Sequence, residues 1–417
     1  MSSKDPGLIS LKVVSHCLKG RADLQQILDT ALQSVHEQRD RALITETVYG
    51  YLRLRGRIHH LINLFLKKPD KLPPDLNILL GLAGYELFFL DRIPAYAAVS
   101  RAVDLCAGLF GRRMSGLVNA VLRKVQELDI ASENLFRQDK PAKTLFWSRF
   151  YSCPEWIVKM WRKSYGEELC LEYLKQSLGK PPLGLRENMN CKGILSDPQY
   201  VLQRISNSVL VRDNYPGLDA YLSQGLVFRQ SYAGQQAVHE LGIKNWPSPV
   251  WDMCAGSGGK SFLMLDQGLR IYSSDVNLHR LKKLKSTADN YGWSPYVFAA
   301  SGRVPPLRSS LPAILVDAPC TGLGVISRRP DIKWKRRPHD VDKLSGIQAG
   351  LLKGAAQNLC SPGLIIYLTC TLSSNENELV INNFLKQHKD FDLEKTYLTS
   401  PRQGLGEFFF GVVLRKK

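Results

Sequence analysis

The sequence predicts an α/β protein in which a doubly wound parallel sheet follows an all-helical region. Two observations support this fold class. Before about residue 128, apolar residues recur at the spacing of amphipathic helices. From Val227 onward, short apolar runs alternate with helix-length segments, which is the pattern of strands joined by crossover helices. The 417 residues are enough for two or three domains.

An all-helical domain is expected over residues 1–140. Apolar residues recur at every third or fourth position over residues 24–35, as on the buried face of a helix. Proline and glycine predict turns between helices at residues 68–74 and 108–111. A polar stretch over residues 131–143 then predicts a linker at the end of this domain.

A small α+β connector is expected over residues 141–230, and the domain that carries the sheet over residues 231–417. The connector contains a strong helical pattern over residues 154–178 and a strand-like apolar run over residues 208–211. The predicted strands of the last domain are residues 249–253, 271–274, 313–316 and 364–368, with a final strand in 408–414.

Composition indicates a polyanionic partner and a reducing compartment. The chain has 56 Lys and Arg against 38 Asp and Glu, a formal net charge of +18, and nucleic acid is the leading candidate partner. A basic enzyme that binds no polyanion is the alternative. The nine cysteines form no CxxC pair and no regular spacing, so we expect neither a disulfide scaffold nor a metal site. No signal peptide or membrane-spanning stretch is evident, and we expect a soluble, monomeric, cytoplasmic protein.

A glycine-rich turn follows the first predicted strand of the sheet. It consists of Cys254, Ala255, Gly256, Ser257, Gly258, Gly259 and Lys260. A P-loop would need glycine at position 254 and a dinucleotide fingerprint would need glycine at position 261, so both patterns fail. The glycines instead let the backbone approach a nucleotide-like cofactor, although a plain structural turn is the alternative. Asp275, at the end of the next strand, is placed to accept hydrogen bonds from ribose hydroxyls.

Two cysteines directly follow predicted strands of the same sheet. Cys320 lies in the sequence Asp-Ala-Pro-Cys after one strand, and Cys370 in Thr-Cys-Thr after another. Ligands and reacting groups gather at this edge of open α/β sheets. An isolated cysteine in an apolar helix is usually a small hydrophobe, which is our interpretation of Cys106, Cys170 and Cys360. Two thiols beside a cofactor suit chemistry in which a thiolate adds to a carbon and is later released.

A basic segment follows Cys320 closely. A charge run is most often a solvated face, but its position beside the reactive loop and a tryptophan able to stack on a base favour RNA or DNA contact. The candidate contact residues are Arg328, Arg329, Lys333, Trp334, Lys335, Arg336 and Arg337.

At these residues the chain resembles the Sun/RsmB family of S-adenosylmethionine-dependent ribosomal RNA cytosine-5 methyltransferases, nearly from end to end. The glycine-rich turn is similar to the family's cofactor loop. The motifs at Asp317–Cys320 and Arg329–Trp334 resemble its fourth motif, and Thr369–Thr371 with Glu376 and Asn377 its sixth. Earlier segments resemble its connector and its NusB-like RNA-binding domain; they are residues 153–156, 185–188, 48–53, 93–99 and 118–123.

The resemblance implies a Rossmann-like methyltransferase sheet and a role for each site residue. Cys370 would attack C6 of a cytosine, Cys320 would assist release of the product, and Asp317 would bond the N3/N4 edge of the base. The cofactor-binding set would be residues 254–260 with Asp275, Ser301 and Asp317. Lys260 would orient Asp317 or a substrate phosphate, and the sequence does not decide between them. The implied substrate is small-subunit (16S) ribosomal RNA with an exposed cytosine.

Some residues depart from the family pattern and keep two other functions open. Ser257 replaces a proline of the cofactor loop, and Ser301 replaces an acid on the adenine side. Tyr96 and Arg101 replace a His and a Glu of the helical domain. A non-catalytic RNA-binding factor with a weakened cofactor site is one alternative. A DNA cytosine-5 methyltransferase, which would use Cys320 as nucleophile, is the other.

Overall fold

The computed structural model describes residues 5–20, 22–304 and 307–417, which form two compact units. The first unit comprises Met1–Leu178 together with Arg329–Arg336, and the second comprises Gly179–Arg328 together with Arg337–Lys417. The division at 178 differs from the boundaries at 140 and 230 that are expected from the sequence. The long helix of the expected connector belongs to the helical unit, and its strands belong to the second unit.

The helices begin and end as follows. In chain order they are α1 (Pro6–Lys19), α2 (Leu24–Leu32), α3 (Gln38–Asn63), α4 (Pro74–Phe89), α5 (Ala95–Phe110), α6 (Arg112–Gln126), α7 (Lys143–Phe150), α8 (Glu155–Leu178), α9 (Leu218–Ser223), α10 (Tyr232–Glu240), α11 (Gly259–Leu265), α12 (Leu278–Asn290), α13 (Ile332–Lys335), α14 (Pro338–Asn358) and α15 (Glu378–Gln387). No helix in the described ranges is long and apolar enough to cross a membrane.

The helical unit is built from α1–α8 with the short helix α13. Helix α1 starts where the sequence supplies a cap: Asp5 accepts a hydrogen bond from the backbone N–H of Leu8, and Pro6 occupies the first turn. The apolar stripes of α1 to α6 bury one continuous core, and α4 is apolar nearly all round because neighbours cover it on several sides. Gly166 interrupts α8 with a positive φ of 81°.

The second unit contains two sheets. The strands are β1 (Leu183–Glu187), β2 (Val201–Ile205), β3 (Ser208–Val211), β4 (Val227–Arg229), β5 (Val250–Asp252), β6 (Ile271–Asp275), β7 (Tyr296–Ala299), β8 (Leu311–Asp317), β9 (Leu359–Thr369), β10 (Phe391–Leu398) and β11 (Phe410–Lys416). The small sheet is antiparallel with the order β2-β3-β1-β4. The large sheet has the order β10-β11-β9-β8-β5-β6-β7, and the five strands from β9 to β7 are parallel.

The predicted fold class is confirmed, and the two strands of the large sheet that the sequence did not predict are its two edges. β7 is half exposed, and β10 alternates apolar with charged residues. Edge strands of this kind lack the continuous apolar runs of strands that are buried on both faces. The pattern that predicted β5, β6, β8 and β9 therefore could not find them.

A buried ion pair joins the two sheets of the second unit. The guanidinium of Arg186, on β1, pairs with the carboxylate of Asp266 at the end of α11, and both side chains are almost completely buried. Arg186 also lies 4.6 to 5.8 Å from the ring centroids of Phe228, Phe262 and Trp293. The small sheet is thereby fixed beside α11, the helix that follows the glycine-rich turn.

Candidate active site

Four neighbouring parallel strands end at one edge of the large sheet. In the order β9, β8, β5 and β6, their last residues are Thr369, Asp317, Asp252 and Asp275. Neighbouring strands lie about 4.8 Å apart, so the loops that follow them share one cleft region at the carboxyl edge. The glycine-rich turn and both cysteine loops are among these loops, as the sequence predicts.

The glycine-rich turn needs glycine at two positions. Gly256 and Gly258 have φ values of 55° and 92°, a backbone conformation that residues with a Cβ rarely adopt. A Cβ at Gly258 would lie 2.7 Å from the ring of Phe262, whereas a Cβ at Gly256 would meet no atom within 4 Å. The turn therefore packs tightly under Gly258 and leaves open space beside Gly256 for a ligand.

Asp275 links the turn to the next strand. Its carboxylate accepts hydrogen bonds from the backbone N–H groups of Gly256 (3.0 Å) and Asn277 (2.8 Å), one on each oxygen. Each carboxylate oxygen has a further lone pair that can accept from a hydroxyl group. Ser301 lies two residues beyond β7, the strand that pairs with β6, and its side chain is exposed.

A second carboxylate, Asp252, lies beneath the turn. It is fully buried and accepts a 2.6 Å hydrogen bond from the hydroxyl of Ser261 in α11. Burial raises the pKa of Asp252 to about 7, against the lowering effect of the Ser261 hydrogen bond. This group ties β5 to α11, and the sequence did not predict it as a site residue.

Lys260 pairs with Asp317. The ammonium nitrogen lies 2.6 Å from a carboxylate oxygen of Asp317, and the two side chains are 19% and 30% exposed. Burial acts to lower the pKa of Lys260, but the charge of Asp317 and the hydrogen bond to it outweigh burial, so that the pKa is raised. Of the two roles that the sequence left open for Lys260, the structure supports orientation of Asp317.

The two thiols lie in contact. The sulfur atoms of Cys320 and Cys370 are 3.4 Å apart, although the residues are separated by 50 positions. The hydrogen bond with Cys370 raises the pKa of Cys320 well above its ordinary value, and burial acts in the same direction. No cluster of His, Cys, Asp and Glu suited to a metal ion occurs among the described residues.

A buried carboxylate connects the two cysteine loops. Glu376 is fully buried and accepts hydrogen bonds from the backbone N–H of Thr321 (2.8 Å) and from its hydroxyl (2.6 Å). The Thr321 hydroxyl also contacts that of Thr371 at 2.7 Å. The sequence places Glu376 in a family motif but indicates no role for it. Its hydrogen-bond partner Thr321 lies 55 residues away, so the local pattern could not reveal this contact.

Gln348 is a further residue that the sequence did not predict. Its side-chain amide nitrogen donates to the carbonyl of Pro319 (3.0 Å) and to Glu376 (3.2 Å). It lies on α14, 29 residues from Pro319 and 28 from Glu376, and no sequence signal distinguishes it from other helical glutamines.

The basic segment behaves differently from the prediction. Lys333 is only 1% exposed, and its ammonium group donates to the backbone carbonyl of Arg53 at 2.7 Å. The indole N–H of Trp334 donates to the carbonyl of Leu52 at 2.6 Å. This burial corrects the expectation that Lys333 contacts RNA, and it gives the Trp334 indole a partner within the helical unit.

The other cations of the segment are divided between partners in the protein and solvent. Arg328 pairs with Glu407 and donates to the carbonyl of Pro182. Arg329 pairs with Asp23, and Lys335 with Asp331. Arg336 is half-buried and Arg337 is exposed.

These features define the class of the protein. The glycine-rich turn follows β5, the acid Asp275 ends β6, and the two thiols follow β8 and β9. This arrangement agrees with the S-adenosylmethionine-dependent methyltransferase site that the sequence predicts. Residues 243–409 match the family model of the 16S rRNA methyltransferases RsmB/F, and residues 9–127 match the NusB family.

Comparisons with whole proteins give the same result. The chain is 32% identical over 392 residues to the probable ribosomal RNA small subunit methyltransferase B of Synechocystis, covering 87% of this chain and 84% of that protein. It is 29% identical to the corresponding protein of Bacillus subtilis, over 92% of this chain and 89% of that one. The crystal structure of PH0851 shares the fold over 100% of both chains, with a TM-score of 0.77 at 21% identity. The chain belongs to the RsmB/F family of 16S rRNA methyltransferases.

Proposed function

We propose that the chain transfers a methyl group to C5 of a cytosine in small-subunit ribosomal RNA through a covalent bond between Cys370 and C6. The observation that carries this proposal is the 3.4 Å contact between the two thiols at neighbouring strand ends. One thiol that attacks and a second that assists release require this proximity, because both must reach adjacent carbons of one ring.

The chain offers a fitting site for S-adenosylmethionine, which supplies the methyl group when it is bound. The open space beside Gly256 would take part of the cofactor, and the Asp275 carboxylate has lone pairs for its ribose hydroxyls. Ser301, in place of the family acid, would contact the adenine side through an uncharged hydroxyl.

The protein's own groups would act in sequence on the base. The Cys370 thiolate forms a bond to C6, and the electron density that moves to C5 makes that carbon nucleophilic. Asp317, held by Lys260, accepts from the N3/N4 edge of the base and stabilises positive charge there. After transfer, the Cys320 sulfur, as a thiolate, takes the proton from C5; the C–H electron pair forms the C5–C6 double bond and the Cys370 thiolate leaves C6. Cys320, in contact with Cys370, assists this release.

The RNA would be held in part by cations of the second unit. Exposed basic residues line α12, the helix that begins three residues after Asp275; they are Arg280, Lys282, Lys283 and Lys285. Arg337 is also exposed. Such side chains make the phosphate contacts that give most of the affinity for RNA.

The test of the thiol roles is denaturing electrophoresis of two variants incubated with S-adenosylmethionine and labelled small-subunit RNA. Cys320→Ala should accumulate protein covalently joined to RNA, since attack proceeds and release is slow. Cys370→Ala should form no adduct and no 5-methylcytosine. An adduct from Cys370→Ala alone would mean that Cys320 attacks, as in a DNA-type enzyme, and normal turnover by both variants would exclude covalent catalysis.

A second experiment identifies the substrate. Bisulfite sequencing of ribosomal RNA from cells with and without the gene should reveal one cytosine whose protection depends on the gene. A binding factor without activity, the alternative that Ser301 kept open, would leave every position unchanged.

A further inference from the structure

The residues on both sides of each cysteine are held by one buried polar cluster. Pro319 and Thr321 flank Cys320, and Thr369 and Thr371 flank Cys370. Gln348 binds the carbonyl of Pro319, and Glu376 binds Thr321. Asn377 accepts from the Thr369 hydroxyl (2.6 Å) and donates to the Thr371 carbonyl (2.9 Å). The cluster therefore holds all four residues that flank the two cysteines, three through the backbone and Thr369 through its hydroxyl.

Glu376 is the member that connects the two loops. Its carboxylate receives the N–H and the hydroxyl of Thr321, on the Cys320 loop, and the amide of Gln348. The Thr321 hydroxyl has a single proton, which goes to Glu376, so the Thr371 hydroxyl must donate to the Thr321 oxygen. Hydrogen bonds thus run from the Cys370 loop through Thr321 to the carboxylate.

The donors around this position need acceptor oxygens. Three donors converge on the two oxygens of Glu376, and the side chain is fully buried. Removing the carboxylate would leave the Thr321 N–H buried without its acceptor, which is costly enough to move the loop. The hydroxyl of Tyr367 binds the backbone carbonyl of Glu376 at 2.7 Å, so the carboxylate is itself anchored to β9.

We infer that Glu376 is a positioning residue for methyl transfer, which holds the Cys320 loop against the Cys370 loop and so sets the distance between the two sulfur atoms. This inference rests on the thiol roles proposed above. Glu376 acts through the two loops, and nothing in its contacts requires it to touch the base. Its negative charge has a second effect, because it helps to raise the pKa of Cys320 and so to keep that thiol protonated beside Cys370.

The rate of disulfide trapping reports how often the two thiols come into contact. A diazene oxidant such as diamide takes up two electrons and two protons as the thiols form one S–S bond, and the linked peptides are identified by mass spectrometry. We expect Glu376→Ala to slow the Cys320–Cys370 linkage at least about tenfold. Turnover should fall by about 100-fold, the size of effect typical of a misplacement of about 1 Å. The Kd for S-adenosylmethionine should stay unchanged, which shows that the fold is intact.

Two further variants keep the test decisive if Glu376→Ala does not fold. Glu376→Gln retains the shape and one acceptor oxygen. Its amide nitrogen can face the Thr321 hydroxyl, which can accept from it and donate to Thr371 instead, so trapping should proceed within about twofold of the wild-type rate. Thr321→Val removes only the hydroxyl bridge and should slow trapping several-fold. Glu378→Gln, two residues further on, makes the same change outside the cluster and should behave as wild type.

The inference is overturned if the folded Glu376→Ala protein, or Thr321→Val in its place, is trapped at the wild-type rate. It is also overturned if the folded Glu376→Ala protein, or Thr321→Val in its place, keeps wild-type turnover. Failure of the proposed function gives a different result, since Cys320→Ala would then form no RNA adduct even with Glu376 intact.

Discussion

At the scale of single residues, the two cysteines lie in contact although they follow different strands. The hydrogen bond with Cys370 and burial both raise the pKa of Cys320. A raised pKa disfavours the thiolate, which is the reactive form of a cysteine. This direction is consistent with the role in release, rather than attack, that we propose for Cys320.

Asp275 gives a prediction about the cofactor. Asp275→Ala removes the proposed acceptor for ribose hydroxyls and also the acceptor of the Gly256 and Asn277 N–H groups. We expect S-adenosylmethionine binding to weaken by roughly 1 to 3 kcal/mol, the usual cost of losing a charge-assisted hydrogen bond. Isothermal titration calorimetry measures the change. Asp289→Ala, at the end of the exposed helix α12, is the control, and normal affinity of Asp275→Ala would contradict the placement of the ribose.

At the scale of elements, α13 and its flanking residues form part of the helical unit in spite of their distance along the chain. Lys333 and Trp334 bind the carbonyls of Arg53 and Leu52, which lie in the middle of α3. Side-chain donors to the carbonyls in the interior of a helix are rare. Two such donors, Lys333 and Trp334, to adjacent carbonyls of α3 therefore form a specific attachment between α13 and α3. A basic, tryptophan-containing segment can thus pack against another helix of the protein, as well as form a surface for nucleic acid.

The buried lysine gives a prediction about stability and pH. Burial lowers the pKa of Lys333 from 10.5 to about 7. Between these values the unfolded chain binds the proton and the folded chain does not, so this residue makes stability rise with pH from about 7 to about 10.5. Below pH 7 both states are charged, and the cost of burying the charge is fully present. We expect the wild-type Tm to rise between pH 6.5 and 9 relative to that of Lys333→Met, measured by thermal denaturation of the full chain. Parallel Tm curves would show that Lys333 keeps an ordinary pKa.

At the scale of the whole molecule, the 56 Lys and Arg residues behind the net charge of +18 are spread along the chain rather than concentrated in the segment after Cys320. Several cations of that segment have partners in the protein, as the pairs of Arg328, Arg329 and Lys335 show. Exposed cations occur elsewhere. A group of them lies on α12, which begins three residues after Asp275 at the carboxyl edge of the large sheet. The long-range attraction of RNA is a property of this whole distribution.

RNA affinity should therefore depend on α12. Replacing Lys282, Lys283 and Lys285 by Gln should reduce the slope of log affinity against log salt by up to about 0.7 to 0.9 for each phosphate that the protein no longer neutralises. Filter binding to small-subunit RNA at several salt concentrations measures the slope. A matched variant makes the same change at Lys386, Lys389 and Lys395, which are also exposed but lie on α15, after it and on β10. Equal slopes for the two triple variants would show that α12 has no special part in binding.

The sequence by itself determined the fold class and the loops that meet at the candidate site. Strands buried on both faces must be apolar, so β5, β6, β8 and β9 were visible as runs, and the loops after them had to meet at one edge. A glycine-rich turn and a cysteine directly after a strand are local features, so both can be recognised in the sequence. The family motifs added the resemblance that assigned roles to Cys370, Cys320 and Asp317.

Only the tertiary structure decided which side chains bond one another. Lys260 had two possible partners until its ammonium group was found 2.6 Å from Asp317. Lys333 resembled a surface cation until α3 was found to cover it, and Glu376 and Gln348 carried no local signal of their bonds. The physical reason is common to these cases. A hydrogen bond or a burial depends on what lies across space, and partners separated by 28 to 280 positions leave no periodicity in the sequence between them.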